Sequence, residues 1–313
     1  MRTSTILKHA AGAMLALAGA LSVHDARSQS AAPAPTQAAP SGSGFSGVYG
    51  TVPPDQAEFL STPDHILSAV ASGAPSLVWE ALEHGEKIEC LNCIAPIGAL
   101  LYDSNAKTRE IAAWWLRRRV LGVFGPGEVY SQTVATLQTD PSPVRRAYAA
   151  NALGEFFVTP GIAACATAVV SDTDPGVRAA CATALGRLND DGSGALGQAI
   201  GDANPTVSLA ALESSARINS FASIQSIAAL TANPSAFVRR RAMEVLDALD
   251  ATDTVLVVTL TAARDPDAGT RAAACHALGT FGNSAVVSVL QKLSQNDPDS
   301  FVRDQAQIAL RRL

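Results

Sequence analysis

The chain repeats one phrase seven times, and this repetition restricts its fold more than any single motif does. DTDPGVRAACATALGRL, from Asp172 to Leu188, runs from an acid through a proline and a Val-Arg pair into an alanine-rich stretch that closes on Leu-Gly. Aligned on its central small residue, the phrase recurs at Ala112, Ala149, Cys181, Ala211, Ala242, Ala274 and Ala306, at intervals of 37, 32, 30, 31, 32 and 32 residues. Nine positions earlier stand Asp103, Asp140, Asp172, Asp202, Asn233, Asp265 and Asp297; three positions earlier stand Arg109, Arg146, Arg178, Ser208, Arg239, Arg271 and Arg303. Each column keeps its residue type in six of seven copies. Self-similarity at this period marks a stacked-repeat architecture.

Each copy reads as two helices. The first carries apolar residues at three- and four-residue steps, such as Val134 and Leu137 or Leu290 and Leu293, and ends near the acid. A proline follows the acid or Asn233 closely in six units (Pro143, Pro175, Pro205, Pro234, Pro266, Pro298); it stops the first helix and suits the first turn of the next. One helix pair cannot cover its own apolar face, so copies stack. The Asp and Arg columns are expected to tie each turn to its neighbour through charge-assisted bonds. Aromatics make up only 5% of the chain, which suits helices packed through small side chains better than a β-sandwich.

The pattern D-x-x-P-x-V-R-x-A-A-x-x-A-L-G, over roughly residues 86–313, resembles the HEAT repeat in its short bacterial form, also seen in phycobilisome-lyase-like proteins. The resemblance implies an all-α, right-handed α-solenoid of about seven or eight helix pairs over residues 57–313, and a binding scaffold rather than one fixed activity. Asp64 to Gly85 reads as one more degenerate pair. The copy at Asp202 departs most, with Ser208 and Ser215 in place of Arg and Leu.

The N-terminus reads as a signal peptide over residues 1–28. Arg2 and Lys8 precede an apolar run from Ala10 to Val23, too short to span a bilayer, and Ala26-Arg27-Ser28 is an acceptable cleavage site. Residues 29–56, rich in Pro, Ala, Gly and Ser, read as a flexible tether. The mature chain is expected to be periplasmic or secreted, monomeric and without a membrane span. A net charge of −5 argues against a nucleic-acid binder.

Cys90 and Cys93 are the sharpest local feature. A local disulfide, a redox dithiol and a zinc half-site are the readings weighed; export favours the first. The dithiol lacks a βαβ setting, and haem attachment is excluded by Ile94 where a His is needed. Pro96 is expected to start a helix to Tyr102, leaving both cysteines in the turn before it. Cys165 and Cys181 lie eight residues either side of Thr173, opposite each other across one helix pair; they read as a second disulfide or as two buried small residues. Cys275 is left as a buried thiol. No His-Glu dipeptide occurs, whereas the metal-dependent hydroxylase built on HEAT repeats uses such pairs as ligands. No phosphate loop, nucleophile elbow or zinc spacing appears, so no cofactor is implied.

Trp114, Trp115 and Arg117-Arg118-Arg119 form the one aromatic-basic cluster. Trp114 and Arg118 are candidate partner contacts, because aromatics and Arg anchor interfaces; the alternative places Trp115 in the core and the arginines at a solvated helix end. The outward stripe of the second helices is expected at Glu110, Trp114, Ala147, Asn151, Ala179, Thr183, Leu209, Glu213, Arg240, Glu244, Ala272, His276, Asp304 and Ile308. The leading functional reading is an exported, non-enzymatic scaffold for a protein partner. A bilin-lyase-like enzyme or subunit, and an envelope redox or metal protein using Cys90 and Cys93, stand as alternatives; export counts against the lyase.

Overall fold

The computed structural model describes residues 45–47, 50–52, 60 and 62–313, apart from 121–126, 158–159, 189–192, 220, 250–252 and 283. The expected signal peptide lies outside the described residues. Within the expected tether, Phe45–Gly47 pairs antiparallel with Gly50–Val52, Phe45 opposite Val52. The sequence reading assigned no element there. Phe, Thr and Val favour strands.

Among the described residues sixteen α-helices follow, as eight consecutive pairs. The first pair is α1 (Pro63–Ser72) and α2 (Pro75–His84); the second is α3 (Leu91–Ala99), extended by a 3-10 turn at Leu100–Tyr102, and α4 (Ala106–Leu116). Then come α5 (Glu128–Thr139) with α6 (Pro143–Phe156), α7 (Pro160–Ser171) with α8 (Pro175–Leu188), and α9 (Ser193–Ala199) with α10 (Pro205–Ser215). The last three pairs are α11 (Ile224–Leu230) with α12 (Ala236–Ala248), α13 (Asp253–Ala262) with α14 (Ala268–Leu278), and α15 (Ser284–Asn296) with α16 (Ser300–Leu310). Each second helix packs on the second helix of the next pair, in sequence from α2 to α16, which makes an all-α solenoid.

The repeated small residue lies at the centre of this packing. All seven, from Ala112 to Ala306, are 0% exposed. The closing glycine of the phrase has the same cause. A Cβ on Gly154 would lie 2.9 Å from the Ala184 Cα, and one on Gly186 would lie 2.8 Å from the Ser214 Cα. Neighbouring second helices therefore touch backbone to backbone where the phrase ends, and a side chain there would push them apart.

The Asp and Arg columns form a ladder along the turns. Arg146 donates through Nε and Nη2 to both carboxylate oxygens of Asp172, at 2.8 Å each. Arg178 does the same to Asp202 (2.7 and 3.0 Å), Arg239 to Asp265 (2.7 and 2.8 Å) and Arg271 to Asp297 (2.8 and 2.8 Å). Nη1 of each arginine bonds back into its own turn, to the carbonyls of Asp140, Asp172, Asn233 and Asp265 at 2.9–3.0 Å. Each aspartate also accepts the backbone N–H two residues on, so one carboxylate shapes its own turn and receives the preceding repeat's arginine. The arginine side chains are 11–16% exposed. The arginine bonds, opposed by burial, hold Asp172, Asp202, Asp265 and Asp297 below the usual carboxylate range.

One correction falls in α3. Its helix begins at Leu91, not at Pro96, because Cys90 caps it: the Cys93 N–H points to the Cys90 Sγ at 3.1 Å. Cys93 thus lies in the first turn and Pro96 inside the helix.

Two outcomes follow from the ladder. Arg178→Ala leaves the Asp202 carboxylate without its paired donor and is expected to lower stability by about 1–3 kcal/mol, measured by urea denaturation at neutral pH; an unchanged midpoint would show that the column serves something other than the fold. The depressed carboxylates contribute stability that is complete above the unfolded aspartate pKa near 3.8 and is lost as pH falls through the lower folded values. The urea midpoint is therefore expected to drop below about pH 4, and Asp202→Asn to show a smaller acid drop than the parent.

Candidate functional site

The cluster at residues 114–119 divides sharply. Trp115 is fully buried, and its Nε1–H donates to the Gly85 carbonyl at 2.9 Å. Arg119 is also buried, with its guanidinium 3.4 Å from the centre of the Trp115 ring. It donates to the carbonyls of Trp115 (2.6 Å), Glu86 (2.7 Å) and Ile88 (2.7 Å). Burial lowers its pKa to about 10 against the raising effect of Glu89. Arg119 is thus a clamp between α4 and the segment after α2, not part of a solvated helix end. Arg118 is exposed and binds Glu86 at 2.9 Å; it does not line the cavity that Trp114 lines.

Trp114 is half-buried on α4. With Trp79 on α2 it walls a cavity of 330 Å³, completed by Glu83, Glu110, Ile111 and Glu155. A second cavity of 250 Å³ continues from it, sharing Glu110 and Glu155 and adding Tyr148, Asn151 and Arg187. The guanidinium of Arg109 lies 3.8 Å over the Tyr148 ring, and Arg187 pairs with Glu155. The sequence reading found Glu110 and Trp114 in this groove but not Trp79 and Glu83, which belong to a pair lacking the repeated phrase. The available signal was their four-residue spacing, which matches that of Glu110 and Trp114.

The outward stripe runs along the second helices as expected, except at Ala272, which is buried. Toward the C-terminal end the stripe turns charged. His276 bridges Asp247 Oδ2 at 2.6 Å and Arg312 Nη1 at 2.9 Å.

The Cys90 and Cys93 sulfurs stand at bonding distance, 2.01 Å, in a buried site. Cys165 and Cys181, the second disulfide candidate, are both free and buried. They do face each other: a hydrogen bond to Cys165, with burial, pushes the Cys181 thiol well up. The pair packs as two small core side chains, because both lie in the seam between α7 and α8. Burial likewise pushes the Cys275 thiol up to about 12. Among the described residues no three His, Cys, Asp or Glu side chains are grouped to hold a metal ion, and no helix is long and apolar enough to cross a membrane.

Residues 130–196 and 227–311 match the family described as HEAT repeats. No curated protein matches the chain. Among solved structures, the Escherichia coli protein YibA is similar with a TM-score of 0.55 at 16% identity, over 83% of this chain and 96% of that one, a likeness in fold. Human deoxyhypusine hydroxylase in complex with glycerol is similar at a TM-score of 0.35 and 19% identity, over 82% and 96% of the two chains. The CpcE–CpcF complex of phycocyanin lyase from Nostoc is similar at a TM-score of 0.38 and 21% identity, over 72% and 96%.

Proposed function

We propose that this chain, a HEAT-repeat protein by its sequence match and its stacked helix pairs, is an exported, monomeric, non-enzymatic scaffold that binds a protein partner along the outward stripe of its second helices. The observation that carries this reading is the contrast within the repeat. The anchor residues are 0% exposed in every copy, while the stripe positions vary from unit to unit and include a half-buried tryptophan beside a cavity. Repeat scaffolds spread binding over several units in this way. Trp114 is the strongest single contact in the proposal, since a rigid aromatic at a cavity is a favoured anchor.

Export supports a bond between Cys90 and Cys93 that staples the start of α3. Its burial favours this structural role over a redox or metal site, which needs an accessible sulfur.

Two measurements test the reading. Trp114→Ala is expected to weaken capture of the native partner from the envelope fraction by about 2 kcal/mol while leaving the melting curve nearly unchanged; a variant that unfolds yet still binds would place Trp114 in the core. Intact mass of the exported protein without reduction is expected to show an N-terminus within residues 23–32 and the loss of two hydrogens in the peptide holding Cys90 and Cys93. Met1 retained on cytosolic protein would remove export and the disulfide together.

A further inference from the structure

The cavity between Trp79 and Trp114 has a particular chemistry. Its polar lining is three carboxylates, Glu83, Glu110 and Glu155, and no basic side chain lines it. Its apolar lining is Ile111 and the two indoles. Indole faces carry negative potential and attract cations. A lining of this composition makes a demand for positive charge.

The chain's own cations already answer that demand at the edges. The Lys107 ammonium lies 5.5 Å over the Trp79 ring and 2.8 Å from Glu110 Oε2. It lines a separate cavity with Pro75 and Ser76, so Trp79 stands between one space holding a lysine and another facing Trp114. The Arg117 guanidinium lies 5.6 Å from the Trp114 ring, and Arg187 pairs with Glu155. Glu83 has no ion-pair partner among the described residues. Glu83 is exposed, so its charge is available to a visitor.

We propose that this cleft receives an arginine or lysine side chain from an exposed segment of the protein partner, its cation held beside the two indoles and answered by Glu83. The proposal rests on the scaffold reading and narrows the partner's chemistry. A long basic side chain fits both halves of the lining: its aliphatic stem lies on Ile111 and the indoles, and its charged head meets the carboxylates. A protein segment is favoured over a free amine because the adjoining cavity carries the surface onward past Tyr148 and Asn151, where flanking residues of a chain would lie.

The test follows the indole N–H signals of Trp79, Trp114 and Trp115 by NMR in the full mature chain. The probes are the peptide acetyl-Ala-Ala-Arg-Ala-Ala-amide and its analogue with citrulline, the neutral isostere of arginine. The arginine peptide is expected to shift Trp79 and Trp114 and spare Trp115, the citrulline peptide to shift none of the three, and Glu83→Gln to weaken the arginine peptide about threefold. Equal shifts from the citrulline peptide, or an unchanged affinity in Glu83→Gln, would overturn the proposal. So would tighter binding of putrescine than of the peptide, which would point to a small amine. A native partner held through Trp114 with no basic residue there would also overturn it while leaving the scaffold standing. Failure of the scaffold reading looks different: Trp114→Ala would not lower partner capture, and the arginine-peptide shifts would persist.

Discussion

The bidentate bond that carries an arginine of one turn to the aspartate of the next, formed at four rungs, is the interaction that sets how the repeats stack. It does two jobs with one side chain. Nη1 closes the arginine's own turn on a backbone carbonyl, while Nε and Nη2 grip the following repeat's carboxylate. Charge-assisted bonds of this geometry fix orientation as well as contributing energy. Orientation matters because neighbouring second helices approach backbone to backbone through small residues, Gly154 against Ala184 and Gly186 against Ser214. Small residues permit close approach; the ladder sets the register at which it happens. The outward stripe along the bonded repeats is positioned by that register.

The two places where the ladder fails are consistent with this view. At α10 and α12 the arginine is Ser208 and the acid that would receive it is Asn233. Both partners are absent from the same rung, so no half-paired charge is left near the core, where it would be costly. Ser208 turns inward instead, donating to the Ile200 carbonyl at 2.6 Å. An outer pair from Arg241 to Glu213 bridges the same two helices at a more exposed position. At the N-terminal end Asp140 is taken by Arg145 at 2.8 Å, and Arg109 stacks on Tyr148 rather than reaching the next acid. Tyr148 thereby becomes part of the groove wall.

Much of this was legible in the sequence because repetition supplies its own controls. Seven aligned copies separate the buried anchor from the variable stripe, and two six-of-seven columns with opposite charge point to a pairing. What stayed hidden lacked that redundancy. The burial of Arg119 depends on three backbone carbonyls that no local pattern announces. The start of α3 depends on a cysteine acting as its cap, against the stronger local signal of Pro96. Half of the Trp79–Trp114 cleft comes from a helix pair that does not carry the phrase. The paired strands Phe45–Gly47 and Gly50–Val52 lie in a stretch whose composition resembles a linker.

A double-mutant cycle on Arg178 and Asp202 tests the ladder most directly. Urea denaturation of the parent, Arg178→Ala, Asp202→Ala and the double variant separates the pair's coupling from each residue's other contacts. The account predicts that the two single losses exceed additivity, with a favourable coupling of about 1–3 kcal/mol, because either substitution alone already removes the shared bonds. Strictly additive losses would mean that the two side chains stand close without holding the repeats together.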